Sequence, residues 1–257
     1  MKSAKKVLCA VAAALAMAGA TASPILWIDD SSGNIGTVDV ATGTATLIGN
    51  SGVVLTDIAF DPSGNLYGIS FTNLYKINKT TGAATNVGSL GIGDANALVF
   101  RSDGTLFAAG FASTNLYTVN TTTGAATSLG SDGFSSAGDL AFNGGNLFLS
   151  SSGGDLIRID LGSLAASADV GPLGFSNVFG LATANNGVLY GVAGTQIFSV
   201  NTSTGHGTAV VNYLGGPLGA ANGTAFFTEA GAAPEPGTIA LLGLGLAGLA
   251  ASRRRKQ

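Results

Sequence analysis

Leu74-Tyr75-Lys76-Ile77-Asn78-Lys79-Thr80-Thr81-Gly82 decides the architecture, because the stretch comes back. Leu116-Tyr117-Thr118-Val119-Asn120-Thr121-Thr122-Thr123-Gly124 repeats it, and so does Ile197-Phe198-Ser199-Val200-Asn201-Thr202-Ser203-Thr204-Gly205. A looser copy ends in Asp39-Val40-Ala41-Thr42-Gly43. One further copy, Leu156-Ile157-Arg158-Ile159, runs instead into Asp160-Leu161-Gly162. The period is about 41 residues, the range of blade and solenoid repeats. Within each copy the residues alternate: Tyr75 and Ile77 point to one side and Lys76 to the other, as a strand requires. The Asn or Asp that follows can bond its own backbone, and the closing Gly accepts a left-handed conformation. Each copy therefore reads as strand, hairpin turn and a shorter strand such as Ala84–Val87 or Ala126–Leu129.

Two more strands complete the unit. Ile58-Ala59-Phe60 corresponds to Leu98-Val99-Phe100, Leu140-Ala141-Phe142 and Leu181-Ala182-Thr183. A turn follows, and the next strand begins at Leu66, Leu106, Leu147 or Leu189, with a first copy at Leu26. Four short antiparallel strands per repeat make a β-propeller blade, and the tight turns argue against a solenoid. The fold class expected is all-β, a β-propeller of four-stranded blades. Units starting at Asp57, Ala97, Asp139 and Gly180 are whole. Leu26 to Ile48 supplies only the last three strands of a unit, and Gly219 to Phe227 only the first two. The C-terminal piece can lend its inner strand to the N-terminal piece and close a ring of five blades with one strand to spare, with six blades, one of them incomplete, as the alternative.

The body from Ser23 to Gly231 holds four basic residues (Lys76, Lys79, Arg101, Arg158) against thirteen acidic ones, a net charge of −9. Such a body repels phosphate backbones, which excludes nucleic acid as a partner. Cys9 is the one cysteine, so a chain without its first 22 residues would have no disulfide, thiolate metal site or cysteine nucleophile.

The ends read as targeting segments flanking that body. Lys2, Lys5 and Lys6 precede an apolar run from Val7 to Ala18, and Ala20-Thr21-Ala22 is a small-x-small cleavage site. Residues 1–22 are thus a helical signal peptide, with the Sec translocon and signal peptidase as partners and Ala20 and Ala22 marking the cut. Residues 23–230 form the repeat domain and 231–257 a linker and sorting or anchor segment. In the latter, Pro234-Glu235-Pro236 precedes an apolar stretch, Ile239 to Ala251, and then Arg253-Arg254-Arg255-Lys256. The three parts in this order resemble the PEP-CTERM sorting domain. The resemblance implies an exosortase, a membrane transpeptidase, as the enzyme that handles the tail, and a setting rich in extracellular polysaccharide. The sixteen residues between Pro236 and Arg253 would reach about 24 Å as a transmembrane helix. That is slightly short of a hydrocarbon core of about 30 Å, a gap that snorkelling arginines close. The basic cluster stays cytoplasmic by the positive-inside rule. The body is then inner-membrane anchored on the periplasmic side, and reaches the cell surface or matrix after processing. The body also resembles propeller-like repeat proteins found ahead of such tails.

Chemistry is sparse. His206, the one histidine, follows the turn glycine Gly205, where other copies have Ala83, Ala125 and Thr44. With no second histidine and no cysteine in the body, neither a cofactor nor a transition-metal site is expected. The serines lack a base partner. Asp29-Asp30 and Asp61, followed by Ser, Gly and Asn, have part of a calcium loop's oxygens but no bidentate Glu, and read as turns. Asp57, Asn96 and Asp139 stand at the start of inner strands, where they can line a channel mouth; they are the candidate ligand-binding residues. Trp27, Tyr67, Tyr75, Tyr117 and Tyr190 fall in strands and read as core, although exposed aromatics could stack on sugars. Three functions are consistent with this: a non-catalytic surface or matrix protein sorted by an exosortase, a carbohydrate- or small-ligand-binding propeller, and a propeller lyase or lactonase. The first is expected.

Overall fold

A computed structural model describes residues 23–231. It contains five four-stranded antiparallel sheets and one short 3-10 turn, Leu164–Ala166. The first blade joins β1 (Ile25–Asp30), β2 (Asn34–Asp39) and β3 (Ala45–Asn50) to the last strand, β20 (Ala221–Phe226). The second holds β4 (Asp57–Phe60), β5 (Leu66–Ile69), β6 (Asn73–Ile77) and β7 (Ala84–Ser89). The third holds β8 (Ala95–Phe100), β9 (Leu106–Gly110), β10 (Asn115–Val119) and β11 (Ala126–Ser131). The fourth runs through β12 (Ser136–Asn143), β13 (Asn146–Ser151), β14 (Asp155–Ile159) and β15 (Ala168–Pro172). The fifth is β16 (Val178–Thr183), β17 (Leu189–Ala193), β18 (Gln196–Val200) and β19 (Gly207–Asn212). The inner strands pack around one axis in the order β20, β4, β8, β12, β16.

The body is therefore an all-β, five-bladed propeller, and the six-bladed alternative is ruled out. Closure works as the incomplete end repeats imply, except that no spare strand is left over: the chain after Phe226 turns and forms no second strand among the described residues. β20 pairs antiparallel with β1, Leu26 opposite Phe226 and Asp29 opposite Gly223. One sheet thus contains the first and last strands of the body, and the ring's only chain break is bridged by backbone hydrogen bonds.

Each seam between blades is an apolar cluster. Tyr75 and Ile77 pack with Leu55, Ile58 and Ile35 toward the first blade. Leu74, on the opposite side of the same strand, packs with Leu90, Leu98 and Phe100 toward the third. Third strands are thus buried on both sides, and Lys76 projects into solvent. Tyr67, Tyr75, Tyr117 and Tyr190 are all buried, in line with their reading as core.

The turn glycine has a second duty. Gly82 has φ +74°, and a Cβ there would lie 2.8 Å from the Gly49 carbonyl carbon of the neighbouring blade. The same backbone-on-backbone approach joins Gly124 to Gly88 and Gly205 to Gly171. Gly49, Gly88 and Gly171 each sit at an outer-strand bulge that brings the backbone outward. At the fourth blade, where the sequence motif breaks down, the Leu164 side chain takes the place of a turn glycine and lies 3.6 Å from the Cβ position of Gly130.

The two ends of the ring differ. Loops entering the inner strands, and those between second and third strands, lie on one end, the loop face. Turns leaving the inner strands, and the Asn-x-Thr-Thr-Gly turns, lie on the other, the turn face. Both ends of the described chain are on the turn face: Pro24 accepts from Val40 N, and Phe227 packs on Phe60 and Gly64.

Gly82→Ala should destabilise the body by about 3 kcal/mol, combining a left-handed alanine with a seam clash. Gly52→Ala, at φ +77° with nothing within 4 Å of its Cβ, should cost about 1 kcal/mol. Urea denaturation of both variants measures the difference, and equal losses would deny the seam its role.

Candidate functional site

The five inner strands present Asp57, Ala97, Asp139, Gly180 and Gly223 at equivalent positions, so two acids share the axis with small residues. Both acids are fully buried. Asp57 Oδ1 accepts from Ile58 N at 2.7 Å, and its Oδ2 from Leu98 N of the next blade at 2.5 Å. Asp139 repeats the pattern: Oδ1 accepts from Leu140 N at 2.7 Å and Oδ2 from Leu181 N of the next blade at 2.6 Å. Each carboxyl thus ties one inner strand to the next. Thr224 Oγ1 on β20 donates to Asp139 Oδ2 at 3.2 Å, linking the closing strand to the fourth blade. Asn96 is 7% exposed at the loop-face end of β8, and its Nδ2 donates to Ala137 O at 3.0 Å. The three residues singled out in the sequence are therefore inter-blade ties within the ring rather than an open mouth.

Two further acids join them. Asp29 on β1 is fully buried, and neither of its oxygens has a hydrogen-bond partner. A Cβ added at Gly223 would fall within contact of both Asp29 Oδ1 and Asp57 Oδ1, so those oxygens flank one small space on the axis. Glu229, just past β20, is partly buried and its Oε1 accepts from Thr183 N at 3.3 Å. The chain from Phe227 to Gly231 reaches from the first blade to Thr183 of the fifth and Ser102 of the third, crossing the turn-face end of the axis. The signal for Asp29 lay in the repeat itself: it occupies the register position of Ile69, Ala109 and Val192, apolar in three of the other four copies, while the fourth blade has Ser150 there.

Burial drives the protonation of this cluster. It pushes Asp29, Asp57, Asp139 and Glu229 well above the usual carboxylate range. Mutual repulsion with Asp139 adds to the rise at Asp29, Asp57 and Glu229. Asp30, next to Asp29, behaves oppositely. Burial acts upward there too, but donation from Gly219 N, the Asn34 side chain and the Asn34 and Ser32 amides holds its carboxyl below the usual range.

Asp30 and Asp61 share one turn geometry. Each Oδ1 accepts from the amides two and four residues on, at 2.9 and 3.0 Å for Asp30 and 2.9 and 2.7 Å for Asp61. N–H groups point into these loops where a calcium ion would need oxygens. Among the described residues no three His, Cys, Asp or Glu side chains are arranged to hold a metal ion. His206 is exposed beside Gly174.

Away from the axis, two clefts open on the turn face. One of about 530 Å³ lies between the fourth and fifth blades, against Asn143, Phe148, Arg158, Asp169 and Thr202. The other, about 270 Å³, lies between the second and third blades, against Asp61, Tyr67, Phe100 and Asp103. The exposed aromatics are on the loop face. Phe71 and Phe111 are 48% and 49% exposed, with ring centroids 5.4 Å apart across two blades. Sequence alternation could not find them, since both lie in loops.

The fold and the tail together define a five-bladed β-propeller that carries a sorting signal. Residues 232–256 match the PEP-CTERM protein-sorting motif. That stretch covers Pro234, Glu235, Pro236, Arg253, Arg254 and Arg255 and Lys256; with Ala20 and Ala22, these residues lie outside the described ones, as do both expected terminal helices. Among the described residues no helix is long and apolar enough to cross a membrane. No curated protein matches the chain. Among solved structures, a chain of a nidogen/laminin complex is similar at 12% identity and TM-score 0.54, over 79% of this chain and 98% of that one. A symmetrical protein from a study of de novo evolutionary emergence aligns at 22% identity and TM-score 0.49, over 76% and 99%. A streptogramin B lyase aligns at 12% and 0.45, over 73% and 68%. At these identities the likeness concerns the fold alone.

Asp139→Ala would leave the Leu140 and Leu181 amides buried without acceptors. A loss of about 3 kcal/mol is expected at pH 5, read by urea denaturation. A loss under about 1 kcal/mol would mean that the carboxyl is not a tie between blades.

Proposed function

We propose that this chain is an exported, non-catalytic display protein of the cell surface or extracellular matrix, delivered by an exosortase. The observation that carries the reading is the placement of the sorting motif. Its first residue, 232, directly follows Gly231 on the turn face. A tail held in a membrane from that point sets the turn face toward the bilayer and the loop face outward. The loop face then presents Phe71, Phe111, Val54 and Leu214, all exposed, to whatever surrounds the cell. No catalytic role is assigned to Asp29, Asp57 and Asp139, because each is fully buried within the ring. The Sec translocon, signal peptidase and extracellular polysaccharide complete the setting.

Comparing cells with and without their sorting transpeptidase tests the route. The protein is expected to change in both mass and cell fraction when the enzyme is missing; identical mass and location in the two strains would sink the proposal. Orientation is testable on the anchored precursor. Cys9 lies in the leader, so Phe111→Cys and Ser63→Cys each give a body with one thiol. An impermeant maleimide should label the first several-fold faster, and the reverse order would turn the propeller over.

The exposed Phe71–Phe111 pair also favours a second reading, a glycan-binding loop face, since aromatic rings offer apolar surfaces to sugars. Phe71→Ala with Phe111→Ala should abolish retardation in a gel containing the producing cell's polysaccharide. Stability should change by less than about 0.5 kcal/mol per site. Unchanged migration would remove this reading.

A further inference from the structure

The carboxyls on the axis have no counter-charge. Asp29 and Asp30 come from β1, Asp57 from β4, Asp139 from β12 and Glu229 from the segment after β20. Tyr213 is the other titratable group nearby, and its hydroxyl is committed to Gly194 O and Gly219 O at 3.0 and 3.1 Å. The inner strand β8 contributes Ala97 and Asn96, and β16 contributes Gly180. The basic residues of the body are engaged elsewhere. Lys79 Nζ donates to Gly64 O at 2.6 Å, Arg101 pairs with Asp103, Arg158 lines the turn-face cleft, and Lys76 and His206 are exposed.

The acids also meet at one particular element. Asp29 faces Gly223 across the closing pair, Asp57 Oδ1 crowds the same glycine, and Asp139 takes the Thr224 hydroxyl. All three thus bear on β20, the one inner strand supplied by the far end of the chain. Asp29 supplies an independent sign that something besides backbone amides belongs there, since both its oxygens are buried and unpartnered against the Asp57–Asp139 pair. Isolated carboxylates in such a place repel one another in a medium that screens them little, whereas neutral carboxyls do not.

We propose that the axis is a proton-held lock: protonated carboxyls seat β20 in the ring, and their ionisation loosens β20 together with the Phe227–Gly231 crossing that leads to the tail. Each carboxyl that ionises gives its proton to solvent and leaves a negative charge against the others. The lock depends on the geometry of the axis and not on the route of export, so it stands or falls separately from the sorting proposal.

The sign follows from linkage. A carboxyl raised in the folded state contributes stability that is complete below its unfolded value, about 4, and is lost as pH rises through its folded value. Asp30, Asp39 and Asp103 are lowered and act in the other direction, but only near and below that pH. Between pH 5 and pH 9, in metal-free buffer, the Tm of the full-length protein in mild detergent should therefore fall, by about 5 °C or more. Asp29→Asn removes one charge without removing a used acceptor, and should flatten this profile by raising Tm at pH 9 more than at pH 5. Glu229→Gln keeps an acceptor for Thr183 N and provides the second variant, with the same direction expected. Hydrogen exchange, corrected for intrinsic rates, should show Ala221–Phe226 losing more protection at high pH than Ala95–Phe100. A parent Tm that is flat or rises with pH overturns the lock, as does a profile unchanged in both variants or equal exchange in the two strands. A saturable rise in Tm on adding calcium or magnesium at pH 8 also overturns it, by making the cluster a cation site.

Discussion

Everything in this body rests on the pairing of β20 with β1. Without it the first blade has three strands and exposes the edge of β1, and the ring has a gap where one inner strand should pack on both β4 and β16. The other four blades are local, each built from a continuous run of chain. Closure alone joins residues nearly the length of the body apart, and its entropy cost must be met by the apolar seams on either side of it. Those seams are well furnished: Phe226 packs with Leu26, Tyr190 and Val192, while Ala225 packs with Ile58 and Phe60. The acids on the axis cluster around that strand, so the most consequential contact in the ring also borders its least favourable electrostatics.

Much of this architecture could be read from spacing. The alternation in Leu74–Ile77 and the Asn-x-Thr-Thr-Gly turn gave the strand and its hairpin, and unequal end repeats implied a shared blade. These signals are legible because they are local: side-chain period, turn chemistry and repeat length are all set by neighbours in sequence. The double role of Gly82 was not legible. Its left-handed turn is a local demand, but its contact with Gly49 depends on where the adjacent blade lies. The same holds for Leu164, which fills the fourth seam by a route outside the motif.

The site was read less completely. Asp57 and Asp139 were found from their position at the start of inner strands, yet a sequence does not reveal whether the middle of a ring is open or packed. Here the five blades close tightly, and the carboxyls reach neighbouring amides instead of solvent. Asp29 was read with Asp30 as a turn, although the two differ completely: Asp30 gathers four donors and Asp29 none. Comparing Asp29 with Ile69, Ala109 and Val192 at its register position would have separated them. The exposed Phe71 and Phe111 lie in loops, where no periodicity reports on burial.

The shared first blade also sets an order in time. A chain threaded through a membrane amino end first delivers β1, β2 and β3 long before their missing partner. Those three strands must wait, with one edge unsatisfied, until almost the whole body has crossed. When β20 finally arrives, only five residues separate its end at Phe226 from the start of the tail motif at residue 232. Completion of the ring and arrival of the tail at the bilayer are then nearly the same event, so a half-made propeller has little opportunity to present a finished signal.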